Sequence, residues 1–526
     1  MINKVKDYRE WLNLLEANGE LHRIRAEVDW NEEIGAITRM VMSARGPALL
    51  FENIKGYKHT LCRKILTAGL GNYNRIALLL GLEKGTPPKE IVEAYREGLR
   101  KRIPPKEVTT GPVKKNIIKG NDIDLFQIPV PKWHNWDGGR YINTFQATIT
   151  RDPETGLQNV GIYRGMLTSK NKISTLLALA QHWGQHFIKH RDIGTEMPVA
   201  FVYGAEPLVE FLALSPIQHY GYSELDVVGG IKGEPIEVIK CETSDIRVPA
   251  NAEIIIEGTI SSDPSTYEIE GPFAEHTGYY GGGASPKPVV NVKCVTYRDD
   301  PIFRGSMEGN RPGWPTENSF PECIAMSAAI WKHLQDCGIP GVTDVWLNPV
   351  GTYLNIFVQI RKSYRGHAKE IASAIWGQSS AYWCFKNVMV VEEDIDIRDY
   401  EQLEWAFAFR VNAREDDIVM MPGTFGSVLD PSCRLEERDI YKYGSGKWTR
   451  VLIDATRNWE FERWEAWNKS VYPPIIVMDK KLEDYVKSRW DEYGLSEIEY
   501  KPTMRIDVDE DIKYRYSLSA RPTKRE

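Results

Sequence analysis

At 526 residues the chain is too long for one hydrophobic core, and 42% hydrophobic with 26% charged residues argues against a disordered or fibrous protein. A formal net charge of −7 with no basic block disfavours nucleic acid as a partner. Seven scattered cysteines, odd in number and without a CxxC pair, argue against a zinc ribbon or disulfide framework and fit reduced thiols in a cytoplasmic protein.

The opening "MINKVKDYREWLNLLEANGE" reads as an amphipathic helix with charges throughout, not as a signal peptide. The apolar run "IALLLGL" (76–82) is far too short for a bilayer span, so no membrane partner is expected. Helical patterns ("YREWLNLLEANGE", "PKEIVEAYREGLRKRI") alternate with short apolar strands ("PALLFENI", "KILTAG"), which predicts an N-terminal α/β domain over 1–115. The stretch 103–133 has Pro, Gly and Lys without periodicity and reads as a crossing linker. From about 140 strands dominate: "INTFQATITRD", "NVGIYRGML", "MPVAFVYG", "EPIEVIKCE", "AEIIIEGTI" and "PVVNVKCVTYR". One long helix, "KISTLLALAQHWGQHFIKH" (172–190), interrupts them, so a largely antiparallel sheet or barrel with an inserted helix is predicted for 116–320. Helices and strands alternate again over 321–455 as a second α/β domain. The remainder, 456–526, is rich in Trp, Glu, Lys and Pro. Its "KLEDYVKSRWDEYG" reads as a helix or tail that packs on a neighbouring subunit.

Missing motifs narrow the chemistry. No GxxxxGK[ST], HExxH or GxSxG is present, and "GLGNYN" (69–74) lacks the third glycine of a dinucleotide fingerprint. Four polar segments remain. In "QNVGIYRGM" Asn159 and Arg164 interrupt an apolar strand, where an arginine either faces solvent or needs a partner. In "LAQHWGQHFIKH" His182, His186 and His190 recur every fourth residue; such a face can chelate a metal or form a polar stripe, and His182 lies nearest the apolar part. In "HYGYSELDVVGG" Glu224 either caps a helix with Ser223 or joins Asn159 and His182 as a hard oxygen/nitrogen set suited to Mn²⁺ or Mg²⁺. In "EIEGPFAEHTGYYGGG" (268–283) Glu270 and Glu275 flank a stiff Gly-Pro-Phe turn. With Arg164 beside them they would handle a proton, one carboxylate kept ionised and the other raised in pKa; without it they are two glutamates in an acidic loop.

These residues also carry a resemblance. "NVGIYR" looks like the Asn-x-Gly-x-Tyr-Arg strand, and "EGPFAEHTGYY" like the Glu-Gly-Pro-Phe-x-Glu loop, of the UbiD family of prenylated-FMN-dependent decarboxylases. "PIEVIKCETSDIRVPANAEIIIEGTI" and "NVMVVEEDIDIRDYEQLEWAFAFR" are similar to further family segments in the same order. The resemblance implies an N-terminal α/β region, a central split β-barrel that binds flavin and a C-terminal α/β oligomerisation domain. It implies a reversible carboxy-lyase acting on an aromatic or α,β-unsaturated acid through a covalent prenylated-FMN adduct, with CO₂ as co-product. Arg164, Glu270 and Glu275 fall on the catalytic network, Glu275 as proton donor. Asn159, His182 and Glu224 fall on the ligands of a divalent ion (Mn²⁺, or Mg²⁺ or Fe²⁺), which with K⁺ holds the cofactor phosphate. Thr144, Ile162, Arg164, Gln181, His182, Ser215 and Lys386 are the cofactor-contacting positions. A flavin prenyltransferase would supply the cofactor, and a homo-dimer or hexamer is expected. Ala274 stands where many members have glycine, and His219 and Tyr220 where Pro-Glu-Gly is common. The segment "SMEGNRPGWPTENSF" (306–320), with Arg311 and Trp314, is either a pocket wall for a bulky aromatic acid, such as an aryl-coenzyme A acid, or a surface loop. The competing readings are an FMN reductase or electron-transfer protein, a subunit of a multi-subunit aryl carboxylase, and a metal hydrolase using the three histidines.

Overall fold

The computed structural model describes residues 5–215, 222–378, 384–458, 460–462, 464, 465, 472, 473, 476 and 478–498. In the N-terminal layer the helix Tyr8–Ala17 starts where the Asp7 side chain accepts from the Arg9 and Glu10 amides. Its Tyr8, Trp11, Leu12 and Leu15, at helical spacing, bury one face. Beside it lies a four-stranded sheet in the order Leu21–Ile24, Ala48–Phe51, Lys64–Thr67, Ile302–Arg304. The last strand pairs parallel to Lys64–Thr67 but comes from far along the chain. The N-terminal unit is therefore not confined to 1–115; three residues read as part of the central domain complete its sheet.

The central unit is a nine-stranded sheet, antiparallel at every pairing. The order runs Tyr141–Asn143, Gly165–Ser169, Lys172–Thr175, Val289–Tyr297, Ile254–Ile260, Met197–Tyr203, Ala147–Arg151, Gln158–Gly161, with Asn116–Lys119 paired off to Val289–Tyr297. It curls without closing. The run "III" at 254–256 shows why a sheet forms here: Ile254 and Ile256 enter one apolar core and Ile255 the other, so both faces are covered. The long helix expected over 172–190 is divided. Lys172–Thr175 is a strand, whose Ile173 and Thr175 suit a pleated, half-buried surface, and the helix begins only at His182 and ends at Asp192. Two further helices, Pro207–Ala213 and Glu224–Lys232, also pack on this unit.

In the C-terminal unit a mixed sheet runs Val342–Leu347, Asn355–Ile360, Asn387–Glu392, Gly446–Asp454, Ile418–Gly426. The helices Ser319–Asp336, His367–Trp376 and Tyr400–Arg410 accompany it. One apolar core continues from the N-terminal helices through the central sheet into this domain. Among the described residues no helix is long and apolar enough to cross a membrane.

Candidate active site

Two chain segments cross from one end of the curled sheet to the other. Residues 144–146 connect Tyr141–Asn143 to Ala147–Arg151, and 162–164 connect Gln158–Gly161 to Gly165–Ser169; in each pair the two strands lie near opposite ends of the strand order. Gln146 Nε2 donates to the Tyr163 carbonyl at 2.7 Å and ties the crossings together. Arg164 therefore sits not within a strand but on a bridge over the open side of the half-barrel.

Both glutamates of the Gly-Pro-Phe hairpin reach it. Arg164 Nη2 donates to Glu270 Oε2 at 3.0 Å, and Nε lies 3.0 Å from Oε1. Nη1 donates to Glu275 Oε1. Tyr141 OH donates to Glu270 Oε1 at 2.8 Å, and Glu270 is 0% exposed. Glu270 thus receives two donors and Glu275 one, and the Arg164 guanidinium lies 5.5 Å from the centre of the Phe273 ring. Burial raises the Glu275 pKa above the usual carboxyl value against the opposing pull of Arg164. The hairpin is shaped around that side chain: Glu275 N donates to the Tyr279 carbonyl at 2.9 Å, and a Cβ on Gly281 would lie 2.6 Å from Glu275 Cγ. Ala274 is accommodated because Gly309, at φ +76°, leaves room where a Cβ would come within 2.6 Å of the Ala274 methyl.

A cavity of about 190 Å³ opens beside this network. Thr144, Ile162, Arg164, Gln181 and Glu275 line it from the central unit, as does Asn143, whose buried Nδ2 has no hydrogen-bond partner among the described residues. Glu322, Tyr353 and Ser427 line it from the C-terminal unit. His276 joins the two sides: its Nε2 is 2.5 Å from Tyr353 OH and its Nδ1 3.7 Å from Glu275 Oε2. Burial lowers His276 to about 4, so the imidazole is neutral.

Asn159, His182 and Glu224 are drawn to one place. Asn159 Oδ1 is 3.0 Å from His182 Nδ1, and Asn159 Nδ2 donates to Tyr163 OH at 3.3 Å. Glu224 Oε2 accepts from the Val160 amide at 2.8 Å. Burial raises Glu224 to about 7. Such a carboxylate fits a divalent ion as counter-charge. Among the described residues no three His, Cys, Asp or Glu side chains are placed to hold a metal ion, so the trio depends on the Asn159 oxygen. His186 and His190 are spent elsewhere, with Nδ1 of each 2.9 Å from the hydroxyls of Thr150 and Thr195 respectively. Two expected cofactor contacts also stand apart from the described cavity lining. Lys386 donates to Asp430 at 2.8 Å and Ser432 at 2.6 Å, and Ser215 is buried beside Tyr95. Arg311 stacks on Trp314 at 3.9 Å outside the lining, while Glu308 and Asn318 of the same segment do line the cavity. His219 and Tyr220 lie outside the described residues.

Three profiles of one family match in order: the 3-octaprenyl-4-hydroxybenzoate carboxy-lyase N-terminal domain over 12–95, its Rift-related domain over 106–311 and its C-terminal domain over 322–455. The chain belongs to the UbiD family of carboxy-lyases. Solved UbiD-class structures agree over nearly the whole length. The closed form of vanillic acid decarboxylase from Sedimentibacter hydroxybenzoicus is 29% identical with a TM-score of 0.82, over 93% of this chain and 99% of that one. HmfF from Pelotomaculum thermopropionicum, in complex with FMN, is 32% identical with a TM-score of 0.75, over 91% and 100%. An evolved dimeric form of HmfF in complex with prenylated FMN is 30% identical with a TM-score of 0.74, again over 91% and 100%. In this UbiD chain the sequence motifs held one wall of the cavity and missed the other. His276 lies within the Glu-Gly-Pro-Phe motif, which by itself gives it no role. Glu322 had one available signal, an acid inside the apolar helical run "FPECIAMSAAIW". Tyr353 had none.

Proposed function

We propose that this UbiD protein removes CO₂, reversibly, from an aromatic or α,β-unsaturated carboxylic acid, and that Glu275 delivers the proton that replaces it. The observation that carries the reading is Arg164 joined to both Glu270 and Glu275 at the cavity wall. Glu270, held by Tyr141 and Arg164, keeps the guanidinium in place. Glu275, with a raised pKa, retains a proton to higher pH than an ordinary carboxyl and is held by Arg164 and a tight hairpin, as a general acid must be. Arg164 also offers a fork for the substrate carboxylate before it is lost.

Prenylated FMN, when bound, supplies the electron sink that an sp² carbanion needs and no side chain provides. Asn143 Nδ2, without a partner among the described residues, supports the cavity as its seat together with Thr144, Ile162 and Gln181. Asn159, His182 and Glu224 would hold a divalent ion, Mn²⁺ among the candidates, with K⁺ nearby. A flavin prenyltransferase would supply the cofactor. A homo-oligomer fits the exposed Met420, Met421 and Phe409 of the C-terminal domain.

The test is co-expression with a flavin prenyltransferase, mass analysis of the extracted small molecules, and CO₂ release from a panel of aromatic acids. The wild type should carry prenylated FMN and release CO₂. Glu275→Gln should carry the cofactor and lose turnover by at least about 100-fold. Near-normal release by that variant removes Glu275 from the acid role; FMN alone with NAD(P)H oxidation supports a reductase instead.

A further inference from the structure

The hairpin that carries Glu270 and Glu275 is gripped by the segment "WHNWDG" (133–138), which stands apart from the described cavity lining. Asp137 is buried there, and both its oxygens accept from backbone amides: Oδ1 from Ala274 N at 3.1 Å and Oδ2 from His134 N at 3.0 Å. Ala274 immediately precedes Glu275 and is itself buried, so its amide needs an acceptor. The next residue adds a second tie, since Gly138 N donates to the Pro272 carbonyl at 2.8 Å. A Cβ at 138 would lie 2.1 Å from the Gly271 oxygen, so that approach requires glycine. The other arm of the segment reaches a second stretch of cavity wall. His134 Nε2 is 2.5 Å from the carbonyl of Glu308, and Glu308 lines the cavity. Arg39 donates to His134 Nδ1, so the ring carries its hydrogen on Nε2 and donates it to that carbonyl. Burial lowers His134 to about 4 and keeps the ring neutral. Trp133 anchors the segment by donating Nε1 to the Tyr141 carbonyl at 3.1 Å, and Tyr141 is the residue that holds Glu270.

We infer that Asp137 is a positioning residue for the proton transfer: by holding the Ala274 and His134 amides on one carboxylate, it fixes the Glu275 hairpin against the Glu308 wall. The inference rests on the decarboxylase reading for the step that Glu275 performs; the clamp itself does not. Asp137 touches neither Arg164 nor the cavity and acts through the backbone of the residue before the proton donor. The choice of an acid follows from the geometry. Two amides meet the two ends of the side chain, and a carboxylate accepts at both, whereas asparagine offers an acceptor at one end only. Burying that charge is costly, and burial raises Asp137 from 3.8 to about 6 although both amides pull it down. At pH 7.5 the ionised form therefore dominates and both bonds are made. A carboxylate kept buried at that cost, beside the donor and outside the cavity, is explained by the aim of the hairpin it holds.

The test compares the full-length wild type with Asp137→Asn and Asp137→Ala, each co-expressed with a flavin prenyltransferase, at pH 7.5. Hydrogen–deuterium exchange is followed by mass spectrometry over 270–282, and kcat and KM are measured on an aromatic acid that the wild type decarboxylates. Exchange over 270–282 should rise at least about fivefold in both variants, while the C-terminal sheet keeps the wild-type rate. In Asp137→Asn kcat should fall about tenfold or more, with KM and cofactor content within about twofold of the wild type. This variant keeps the volume and one acceptor, and it serves if the alanine variant does not fold. Unchanged exchange over the hairpin overturns the clamp. Raised exchange with unchanged kcat overturns the positioning role. Protection lost over the whole chain, cofactor lost in step with kcat, or failure of both variants to fold assigns Asp137 to general stability and overturns the inference as well. The decarboxylase reading fails separately: a wild type that releases no CO₂ removes that reading, and the exchange contrast still decides whether Asp137 clamps the hairpin.

Discussion

At the scale of the residue, the site runs on the difference between two glutamates five positions apart. Glu270 is surrounded by donors, and Glu275 meets one guanidinium nitrogen while burial works against its ionisation. Because the Glu275 pKa is raised, its acid form persists above the usual carboxyl range and is lost as pH rises through the raised value. Decarboxylation that needs this proton should therefore fall on an alkaline limb that Glu275→Asp displaces, which a pH–rate profile of the loaded enzyme reads. Stability has the opposite slope on the acid side. Burial lowers His134, His186 and His276 from 6.5 to about 4. A depressed folded-state pKa contributes stability that is present above about 6.5 and lost as pH falls towards 4, on the order of 1–3 kcal/mol per imidazole. Thermal melts at pH 7.5 and 5 should show the drop, and His186→Gln should lessen it. From the residues alone Arg164 could face solvent and Glu270 and Glu275 could be an acidic loop; the resemblance of the two motifs is what grouped them, because their contact spans more than a hundred positions of chain. Glu322 and Tyr353 were not legible, because an acid on a helix or a tyrosine in a loop becomes a wall only when two domains meet around one cavity.

At the scale of the element, position follows from topology more than from propensity. The strand signal at 254–256 was legible in its unbroken β-branched run. The strand Lys172–Thr175 was masked by the leucines and alanines that follow it, whose helical pattern continues into His182–Asp192. No period in the sequence marks 144–146 and 162–164 as crossings, because what sets them apart is the order of the strands they join. The hairpin after Glu270 is equally specific. Gly281→Ala would put a methyl 2.6 Å from Glu275 Cγ, so the proton donor has to move. The expected result is a loss of turnover of about tenfold or more, with cofactor retained and the melting temperature shifted by only a few degrees, measured side by side.

At the scale of the whole molecule, the C-terminal sheet ends on Ile418–Gly426, an edge strand with Met420 68% and Met421 51% exposed, and Phe409 on the neighbouring helix is 69% exposed. Unpaired edges and exposed apolar side chains of this kind are covered in stable proteins. The helix Lys480–Ser488, which buries only Glu483 in a single chain, is available to a neighbouring copy. Light scattering on the wild type should give a mass at least twice that of one chain, and Met420→Asp with Phe409→Asp should shift it towards the monomer. The three-part organisation was legible from composition and alternation, but the placing of Ile302–Arg304 was not, since three residues carry too little pattern to announce a distant partner.

That strand has a consequence for how the protein is made. Ile302 pairs with Lys64, 238 positions earlier, and the neighbouring Arg304 is buried against Glu210 and Glu317. At translation rates of roughly 5–20 residues per second, about 12–50 s separate the two halves of that pairing at the ribosome. Throughout that interval Lys64–Thr67 presents an open edge to every other nascent chain. The N-terminal layer, first to emerge, is therefore among the last parts to be completed, and a chaperone that shields an edge strand would act on this molecule before its active site exists.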